Sequence, residues 1–278
     1  MSLKQRIEQV WEERATLSAS EDEAVSTVWE VMTLLNQGLV RVCEPIDGKW
    51  IVNDWLKKAI LLFFKLQNSS LIKTSVDEAS GLGNFYDKVP LKFQNWQEED
   101  FAQAKIRIVP GAIVRFSAYI GANAVLMPSF VNVGAFIGEG TLVDTWATVG
   151  SCAQVGKNCH ISGGVGIGGV LEPIQSAPVI IEDDVFIGAR SEIAEGVIVE
   201  QGAVLAMGVY IGSSTRVYDR SSGQIYYGRV PKHSVVVPGT LPSSDGLTNT
   251  YAAIIVKTVD AATKAKTSLN EILRDIGN

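Results

Sequence analysis

The sequence has few residues that cross-link a chain or bind metal ions. Its 278 residues include three cysteines and two histidines. Three cysteines are too few, and odd in number, for a disulfide framework. A catalytic zinc site commonly uses about three histidines, and the two present, His160 and His233, are 73 residues apart. We therefore expect neither a disulfide-stabilised domain nor a metal site.

Long apolar runs and an excess of positive charge are also absent. The longest notable apolar stretch is residues 59–64, whereas a membrane span needs ~20 residues. The 24 lysines and arginines and 30 aspartates and glutamates give a net charge of −6, which argues against nucleic acid or an anionic membrane as the main partner. The first residues, MSLKQRIEQVWEER, have no signal-peptide apolar core. These features predict a cytoplasmic protein.

Glycine, by contrast, is concentrated in one region. Residues 108–217 contain 17 of the 26 glycines, and aliphatic residues recur there with a period of six. A helix repeats every 3.6 residues and a simple strand every two, so neither explains this period. Ile, Val or Leu occupies every repeat position, which are 108, 114, 120 and 126, then 131, 137, 143, 149, 155, 161 and 167, then 181, 187, 193, 199, 205, 211 and 217.

A coil with three flat faces explains this period. Each six-residue unit forms one short strand and one corner, with the aliphatic residue pointing inward. The pattern is the hexapeptide repeat and predicts a mainly β protein built on a parallel β-helix. Eighteen units at three per coil give a prism of about six coils, roughly 29 Å long at ~4.8 Å per rung.

Two breaks in the period predict departures from the regular coil. The step from Leu126 to Val131 is five residues, which predicts a shortened corner. The step from Ile167 to Ile181 is fourteen and includes two prolines. Because proline cannot donate to a ladder of hydrogen bonds, this segment is expected to leave the prism as a loop. Long loops on regular scaffolds often cover a binding site.

The chain divides at the ends of the repeat. We predict an N-terminal mainly helical domain (1–106), a parallel β-helix (107–230) and a C-terminal segment of strands and a helix (231–278). The terminal helix is expected at about 261–276. Because an open prism end exposes unpaired strand edges, the N-terminal domain is expected to cover one end.

Local signals locate the elements of the N-terminal domain. Helices are expected over about 3–16 and about 53–66, and a third between a capping box at Ser20 and Glu23 and a stop at Gly38. A short hairpin is expected to turn at residues 47–48, which are Asp-Gly.

Stretches throughout the sequence match one enzyme family. They are IDGKWIVNDWLKKAILLFFK, YDKVPLKF, VPGAIVR, VLMPSFVNVGAFIGEGTLVDTWATVGSCAQVGKNCHISGGVGIGGVLEPIQ, IIEDDVFIGARSEIAEGVIVEQGAVLAMGVYIGSSTRVYDR and YGRVP. The chain resembles the 2,3,4,5-tetrahydropyridine-2,6-dicarboxylate N-succinyltransferases of diaminopimelate and lysine biosynthesis. The resemblance implies a left-handed β-helix and a homotrimer with active sites between neighbouring prisms. It also implies transfer of succinyl from succinyl-CoA to the amino group of ring-opened tetrahydrodipicolinate (2-amino-6-oxopimelate).

The resemblance assigns roles to particular residues. The family's aspartate in VDTWATVG binds the acceptor amino group, which gives that role to Asp144, and Glu192 is a second acid–base candidate near the acyl donor. Arg107 matches an arginine that binds a substrate carboxylate, which a guanidinium can grip with two hydrogen bonds. Trp146 is a candidate wall of the acceptor pocket. From the residues alone, Asp144 is equally explained as a solvated corner group, and Glu192 is better explained as a solvated glutamate on the prism face. The alternatives are a surface arginine that joins the two domains for Arg107 and packing for Trp146.

Two neighbouring residues have open roles. In other hexapeptide acyltransferase families a histidine is the general base, and the pKa of histidine suits that role, so His160 is a third proton-acceptor candidate. The catalytic weight in this family rests on carboxylates instead. Arg190 is either a site residue or a partner in a structural salt bridge.

A glycine-rich segment is the candidate CoA contact. Residues 164–169 match GxGxxG, but a dinucleotide-binding loop needs a βαβ unit, and here Ile167 keeps the six-residue register. We interpret Gly164, Gly166 and Gly168 as bare backbone that lets the CoA arm approach. Lys257 is the candidate cation for the CoA phosphates, and the other cations available are Arg216, Arg229 and Lys232. CoA is expected as a co-substrate, with no permanently bound cofactor.

Three other functions are alternatives to succinyl transfer. The N-acetyl variant of the same step stays open on physical grounds, because the residue that would meet the succinyl carboxylate is not identifiable. A non-catalytic trimeric scaffold would explain the repeat, but not Asp144 and the inserted loop together. A metal-dependent carbonic anhydrase on the same fold lacks its histidines.

Overall fold

The fold begins with a small helical region and continues into a long series of short strands. A computed structural model describes residues 1–73 and 83–259. Before the repeat, the elements are α1 (Leu3–Glu12), α2 (Asp22–Gln37), β1 (Cys43–Ile46), β2 (Lys49–Val52), α3 (Asp54–Leu66), β3 (Ser70–Ile72), β4 (Phe85–Asp87) and α4 (Glu98–Ala104).

The helical region has its own apolar core. Met32 of α2 and Ile60 and Phe63 of α3 are fully buried there, and burial of apolar surface stabilises the fold by about 25 cal/mol per Å². α2 ends as predicted at Gly38, whose φ of 72° is left-handed and favours glycine. The predicted hairpin is confirmed, because β1 and β2 pair antiparallel around residues 47–48.

The predicted capping box is wrong. α2 begins at Asp22, and its N-cap residue, Glu21, makes no side-chain cap hydrogen bond. The Ser20 hydroxyl lies 2.7 Å from the Ser18 hydroxyl, while the Glu21 carboxylate accepts the Ser18 amide N–H at 3.0 Å. The acidic first turn of α2 complements the positive end of the helix dipole. α1 also ends at Glu12, earlier than predicted.

The strands of the repeat form three faces of a prism, confirming the parallel β-helix. The first face contains β5 (Arg107–Ile108), β8 (Val125–Leu126), β11 (Leu142–Val143), β14 (His160–Ile161), β17 (Phe186–Ile187), β20 (Val204–Leu205) and β25 (Ser234–Pro242). The second contains β6 (Ile113–Val114), β9 (Phe130–Val131), β12 (Thr148–Val149), β15 (Gly166–Ile167), β18 (Glu192–Ile193) and β21 (Tyr210–Ile211). The third contains β7 (Tyr119–Ile120), β10 (Phe136–Ile137), β13 (Gln154–Val155), β16 (Ile180–Ile181), β19 (Ile198–Val199) and β24 (Arg229–Val230).

Each short strand contributes one outward and one inward side chain. The inward residues are the aliphatic repeat positions, and those from Val114 to Val217 are all buried. Pairing is parallel and in register, so Leu142 lies beside His160, one coil later in the chain. The inserted loop adds eight residues to the sequence separation between paired strands, so Gly166 lies beside Glu192. These two offsets determine which outward side chains are neighbours.

The fourteen-residue step leaves the prism as predicted. β15 ends at Ile167, and the third face resumes only at Ile180, which pairs with Gln154. The inserted loop lies against the helical region, because the buried Lys57 amine donates to the Ser176 carbonyl oxygen at 2.6 Å. Leu171 also packs against the core of the helical region. The insertion therefore joins the two parts of the chain.

The last predicted repeat unit does not continue the third face. β22 (Val217–Asp219) pairs with β23 (Ile225–Tyr226) and with β26 (Asn249–Thr258) instead. The third face is completed by β24, whose Val230 is buried and pairs with Val199. Val236 then returns to the first face, beside Leu205. A period of six therefore resumes after an excursion that the aliphatic pattern did not reveal.

The helical region covers the side of the prism, which corrects the prediction that it covers an end. Phe116, Val133 and Cys152, which turn from the second face into the third, pack in its core. The first coil is instead covered by Phe93 and Ile106, and the last by Ala253 and Ile255 of β26.

The C-terminal segment begins with the two predicted strands. β25 and β26 pair antiparallel from Ser234 to Thr258. The helix predicted at 261–276 lies outside the described residues. Within residues 1–73 and 83–259, no helix has the length and apolar character needed to cross a membrane.

Candidate active site

The corner between the first and second faces carries most of the predicted site residues. We call it the Asp144 corner, defined by residues 144–147, 162–165 and 188–191, which follow β11, β14 and β17. The first residue of each neighbouring second-face strand points outward beside it. The predicted residues brought together here are Asp144, Trp146, Gly164, Gly166, Arg190 and Glu192.

Asp144 is held by its neighbour and faces a histidine. Its Oδ1 accepts the Thr145 amide N–H at 2.6 Å and the Thr145 hydroxyl at 3.2 Å. Its Oδ2 lies 4.0 Å from the His160 Nε2 atom, with 34% of the Asp144 side chain and 42% of the His160 side chain exposed. The imidazole also packs edge-on against Phe186, with 5.1 Å between ring centroids. One carboxylate oxygen is thus fixed, and the other stays accessible.

Two bulky residues adopt a backbone conformation that favours glycine. φ is 61° at Trp146 and 60° at Arg190, while the equivalent positions of neighbouring coils are Gly164 and Gly208. A non-glycine residue in this region costs of order 1–3 kcal/mol, and such strain clusters at functional sites. Trp146 is also 69% exposed. Packing within this chain therefore does not explain the tryptophan, and its place in the wall of an acceptor pocket stays a prediction.

Arg190 and Glu192 fold back over the preceding coil. A Cβ atom placed on Gly164 would lie 2.7 Å from the Arg190 guanidinium carbon. A Cβ on Gly166 would overlap the Glu192 carboxylate. These two glycines therefore leave room for a cation and a carboxylate one coil nearer to Asp144. Their steric reason lies in this chain's own side chains, and contact of Gly164 and Gly166 with CoA stays a prediction.

Comparisons with known proteins identify the family. Residues 2–66 match the family model described as tetrahydrodipicolinate N-succinyltransferase N-terminal. Residues 178–213 match the model described as hexapeptide repeat of succinyl-transferase. The chain is 61% identical over 272 residues to the 2,3,4,5-tetrahydropyridine-2,6-dicarboxylate N-succinyltransferase of Polynucleobacter asymbioticus, covering 97% of both chains. The chain belongs to this N-succinyltransferase family.

Other relatives agree with this assignment. The enzyme of the same name from Acinetobacter baylyi is 61% identical over 270 residues, covering 96% of this chain and 97% of that one. Among solved structures, a putative 2,3,4,5-tetrahydropyridine-2-carboxylate N-succinyltransferase from Campylobacter jejuni aligns with a TM-score of 0.53. Identity to that chain is 17%, and the alignment covers 83% of this chain and 62% of that one, so it supports the fold alone.

The remaining predicted site residues lie away from the Asp144 corner. Arg107 is the first residue of β5, on the first face, and its side chain is exposed. Two rungs of the ladder separate β5 from β11, which is roughly 10 Å. Lys257 pairs with Val235 in β26, beyond the last coil. Gly168 lines a cleft of ≈ 580 Å³ beneath the inserted loop, together with Glu172 and Glu195.

The contact between Asp144 and His160 was missed from the sequence. His160 was considered as an isolated base candidate, without a partner. A signal was present, because three six-residue units make one coil, so residues near 18 positions apart become neighbours. Residues 142 and 160 pair for this reason, which carries the imidazole to the carboxylate that follows β11. The same counting, with eight inserted residues, places Glu192 beside Gly166.

The chemistry available at this corner is that of proton transfer and anion binding. Two carboxylates, an imidazole and a guanidinium are the titratable or charged groups. In residues 1–73 and 83–259, no group of three or more His, Cys, Asp or Glu side chains is placed to hold a metal ion. Cys152 and Cys159 lie at other corners of the prism and are poor nucleophiles, because burial raises the pKa of both thiols to about 12.

Proposed function

We propose that this protein transfers the succinyl group of succinyl-CoA to the amino group of 2-amino-6-oxopimelate, the ring-opened form of tetrahydrodipicolinate. The amine nitrogen attacks the thioester carbonyl carbon, the C–N bond forms, and the C–S bond then breaks. The products are the N-succinyl amide and CoA, whose sulfur takes up the proton lost by the amine. The observation that carries this proposal is the 61% identity, over nearly the whole chain, to a curated enzyme of this name.

Asp144 orients the amine and accepts its proton as the C–N bond forms. A carboxylate beside an ammonium stabilises the charged form and opposes its deprotonation. Proton transfer to Asp144 is therefore favoured only after attack has begun, when the nitrogen has become more acidic. The hydrogen bond from Thr145 to Oδ1 leaves Oδ2 for the amine. His160, 4.0 Å from Oδ2, is positioned to orient this oxygen or to take the proton onward.

The cationic side chains bind the acceptor's two carboxylates. Arg107 and Arg190 are both exposed, and a guanidinium matches a carboxylate with two parallel hydrogen bonds. Trp146 forms a wall beside the reacting amine. Glu192, held over Gly166, acts at the acyl-donor side as the second acid–base group. Holding both reactants in attack geometry contributes ~7–11 kcal/mol in favourable cases.

The CoA arm runs along the prism past Gly164, Gly166 and Gly168. Glu172 and Glu195 beside Gly168 would repel phosphates, so the uncharged pantetheine part of CoA lies there. Lys257, in the last strand of the first-face sheet, binds a phosphate at the far end. The coils of this prism wind in the left-handed sense, as in other hexapeptide proteins.

The complete site lies between two chains of a cytoplasmic homotrimer. Asp144 follows β11 and Glu192 begins the strand after β17, two rungs further along, so roughly 10 Å separates their coils. In this arrangement the first face of one prism is set against the second face of another. The exposed side chains of Trp146 at the Asp144 corner and of Met207, one coil beyond it, support such an interface.

A thiol-release assay tests the activity. We expect free CoA thiol from succinyl-CoA only when the amino-dicarboxylate acceptor is present. Acetyl-CoA should give little or no release. Acceptor-dependent release from acetyl-CoA but not from succinyl-CoA would move the assignment to the N-acetyl variant. No CoA binding by calorimetry would favour a non-catalytic scaffold.

A further inference from the structure

A second cavity lies one prism face away from the Asp144 corner. Its volume is ≈ 540 Å³, and it is enclosed by the hairpin β1–β2 and by the corner between the third and first faces. Succinyl transfer uses none of the residues around it. Those that the following argument uses are Arg41, Trp50, Phe136, Glu139, Lys157 and Asp183.

The Arg41 guanidinium lines this cavity and has few hydrogen-bond partners. Its Nε donates to the Gln154 Oε1 atom at 3.0 Å, and its guanidinium carbon lies 3.7 Å from the Phe136 ring centroid. Among the described residues it has no ion pair within 4.0 Å and no second hydrogen-bond acceptor. A guanidinium has five N–H donors and matches a carboxylate with two of them.

The position of Arg41 is fixed before any ligand arrives. The Gln154 side chain is buried, and its amide group donates to the Cys152 carbonyl oxygen at 2.9 Å. Stacking on Phe136 holds the guanidinium plane from one side. Burial lowers the pKa of Arg41, partly offset by nearby acidic groups. Burying a charge without a full set of partners is unfavourable, and a bound carboxylate would supply the missing acceptors.

The rest of the cavity is acidic, which restricts the ligand. Glu139, Glu182 and Asp183 line it, and with the cations Arg41 and Lys157 the formal charge is two minus three, or −1. A phosphate or a dicarboxylate would be repelled from this rim. A ligand with one carboxylate and two ammonium groups carries +1 and complements it.

Aromatic rings provide the apolar surface between these charges. Phe136 stacks on Tyr119 at 4.7 Å between centroids. Trp50 is held in place by donating its indole N–H to a Glu182 carboxylate oxygen at 3.0 Å. We propose that this cavity binds a basic α-amino acid, with its carboxylate on Arg41, its methylenes against the rings, and its side-chain ammonium beside Glu139 and Asp183. This inference does not depend on succinyl transfer.

Calorimetry with three probes tests the proposal on the full chain. We expect L-lysine to bind once per chain with a Kd below ~1 mM. L-Norleucine lacks the side-chain ammonium, and 1,5-diaminopentane lacks the carboxylate, so each should bind at least about tenfold more weakly. Absence of L-lysine binding, or equal affinity for L-norleucine, would overturn the proposal.

Matched variants locate the site. Arg41→Gln should weaken L-lysine binding at least about tenfold, whereas Arg14→Gln, which removes an arginine stacked on Trp11 outside the cavity, should leave the affinity unchanged. If Arg41→Gln unfolds the chain, the exposed Glu139→Gln should weaken binding of L-lysine but not of L-norleucine. Unchanged L-lysine affinity in both cavity variants, or its loss in Asp144→Asn, would place binding elsewhere and overturn the proposal.

Discussion

At the scale of single residues, the candidate site depends on neighbours that the coil brings together. Thr145 fixes one oxygen of Asp144 and His160 faces the other, an arrangement that suits the base we propose. Trp146 and Arg190 occupy left-handed positions, which a regular repeat fills with glycine or asparagine at lower cost. Their strain is compatible with folding because the buried aliphatic residues on either side hold the corner.

Asp144→Asn keeps the size of the side chain and its hydrogen bond from Thr145 but removes the proton acceptor. We expect kcat to fall by about 10²–10⁴-fold, the usual contribution of a positioned acid–base group, with the thermal midpoint nearly unchanged. Thiol release and thermal unfolding measure the two quantities. Turnover close to that of the wild type would remove Asp144 from the mechanism.

Gly166→Ala tests whether the position of Glu192 matters. The added methyl would overlap the Glu192 carboxylate, and an exposed carboxylate can swing away without unfolding the chain. We expect kcat to fall by about tenfold, or ~1.4 kcal/mol of transition-state stabilisation, with little change in thermal stability. The control is Gly83→Ala, whose Cβ would lie within 4 Å of no residue in the described part of the chain. A wild-type kcat for Gly166→Ala would show that catalysis does not need this position.

At the scale of elements, the junction between α2 and the prism contains a buried amine. Lys92 is 8% exposed, and its Nζ donates to the Asn36 carbonyl oxygen at 2.7 Å and to the Asn36 side-chain oxygen at 2.9 Å. The Asn36 side chain also accepts the Ser117 amide N–H at 3.3 Å. Burial lowers the pKa of Lys92 to about 7, since both of its acceptors are uncharged.

This lowered pKa gives a pH dependence of stability with a definite sign. Between about pH 7 and the ordinary lysine pKa near 10.4, the unfolded chain holds a proton that the folded chain has lost. Lys92 should therefore make the free energy of unfolding rise with pH above 7, by at most about 1.4 kcal/mol per pH unit. Denaturant unfolding at several pH values from 7 to 9 measures this dependence. The increase in the free energy of unfolding per pH unit should be smaller in Lys92→Met than in the wild type.

The matched control for this comparison is Lys4→Met, since Lys4 is an exposed lysine of α1. Its pH dependence should follow that of the wild type. If the free energy of unfolding changes with pH equally in the wild type and in Lys92→Met, the Lys92 amine does not titrate in this range.

At the scale of the whole molecule, one side of the prism is covered and another is open. The helical region packs on the corner between the second and third faces. Trp146 at the Asp144 corner and Met207, one coil beyond it, are each more than two-thirds exposed. We propose that these apolar side chains are part of an interaction surface.

Light scattering tests the homotrimer that we propose from this surface. The expected mass is three times the chain mass of 30.0 kDa. A single 30.0 kDa species with full activity would contradict a site formed between chains. Trp146→Asp would place a charge on the open edge and should shift the mass toward that of one chain.

The local pattern of residues was enough to predict the β-helix, its six-residue step and the loop after Ile167. It succeeded because each unit repeats one local rule, with an aliphatic residue inward and a small residue at the turn. The full-length resemblance was enough to identify the family, which the identity to curated relatives confirmed. The same local reasoning failed for the capping box at Ser20, because several nearby hydroxyls and carboxylates compete for the same amides.

Contacts between distant parts of the chain required the folded molecule. The helical region lies on the side of the prism, β24 replaces the strand expected at Val217, and Arg41 reaches Gln154 across 113 residues. None of these follows from a repeat, because the free energy of docking depends on which surfaces match in shape after each part has formed. The position of His160 beside Asp144 could be predicted only in part. Counting residues per coil predicts the rung on which His160 lies, but not the orientation of the imidazole ring.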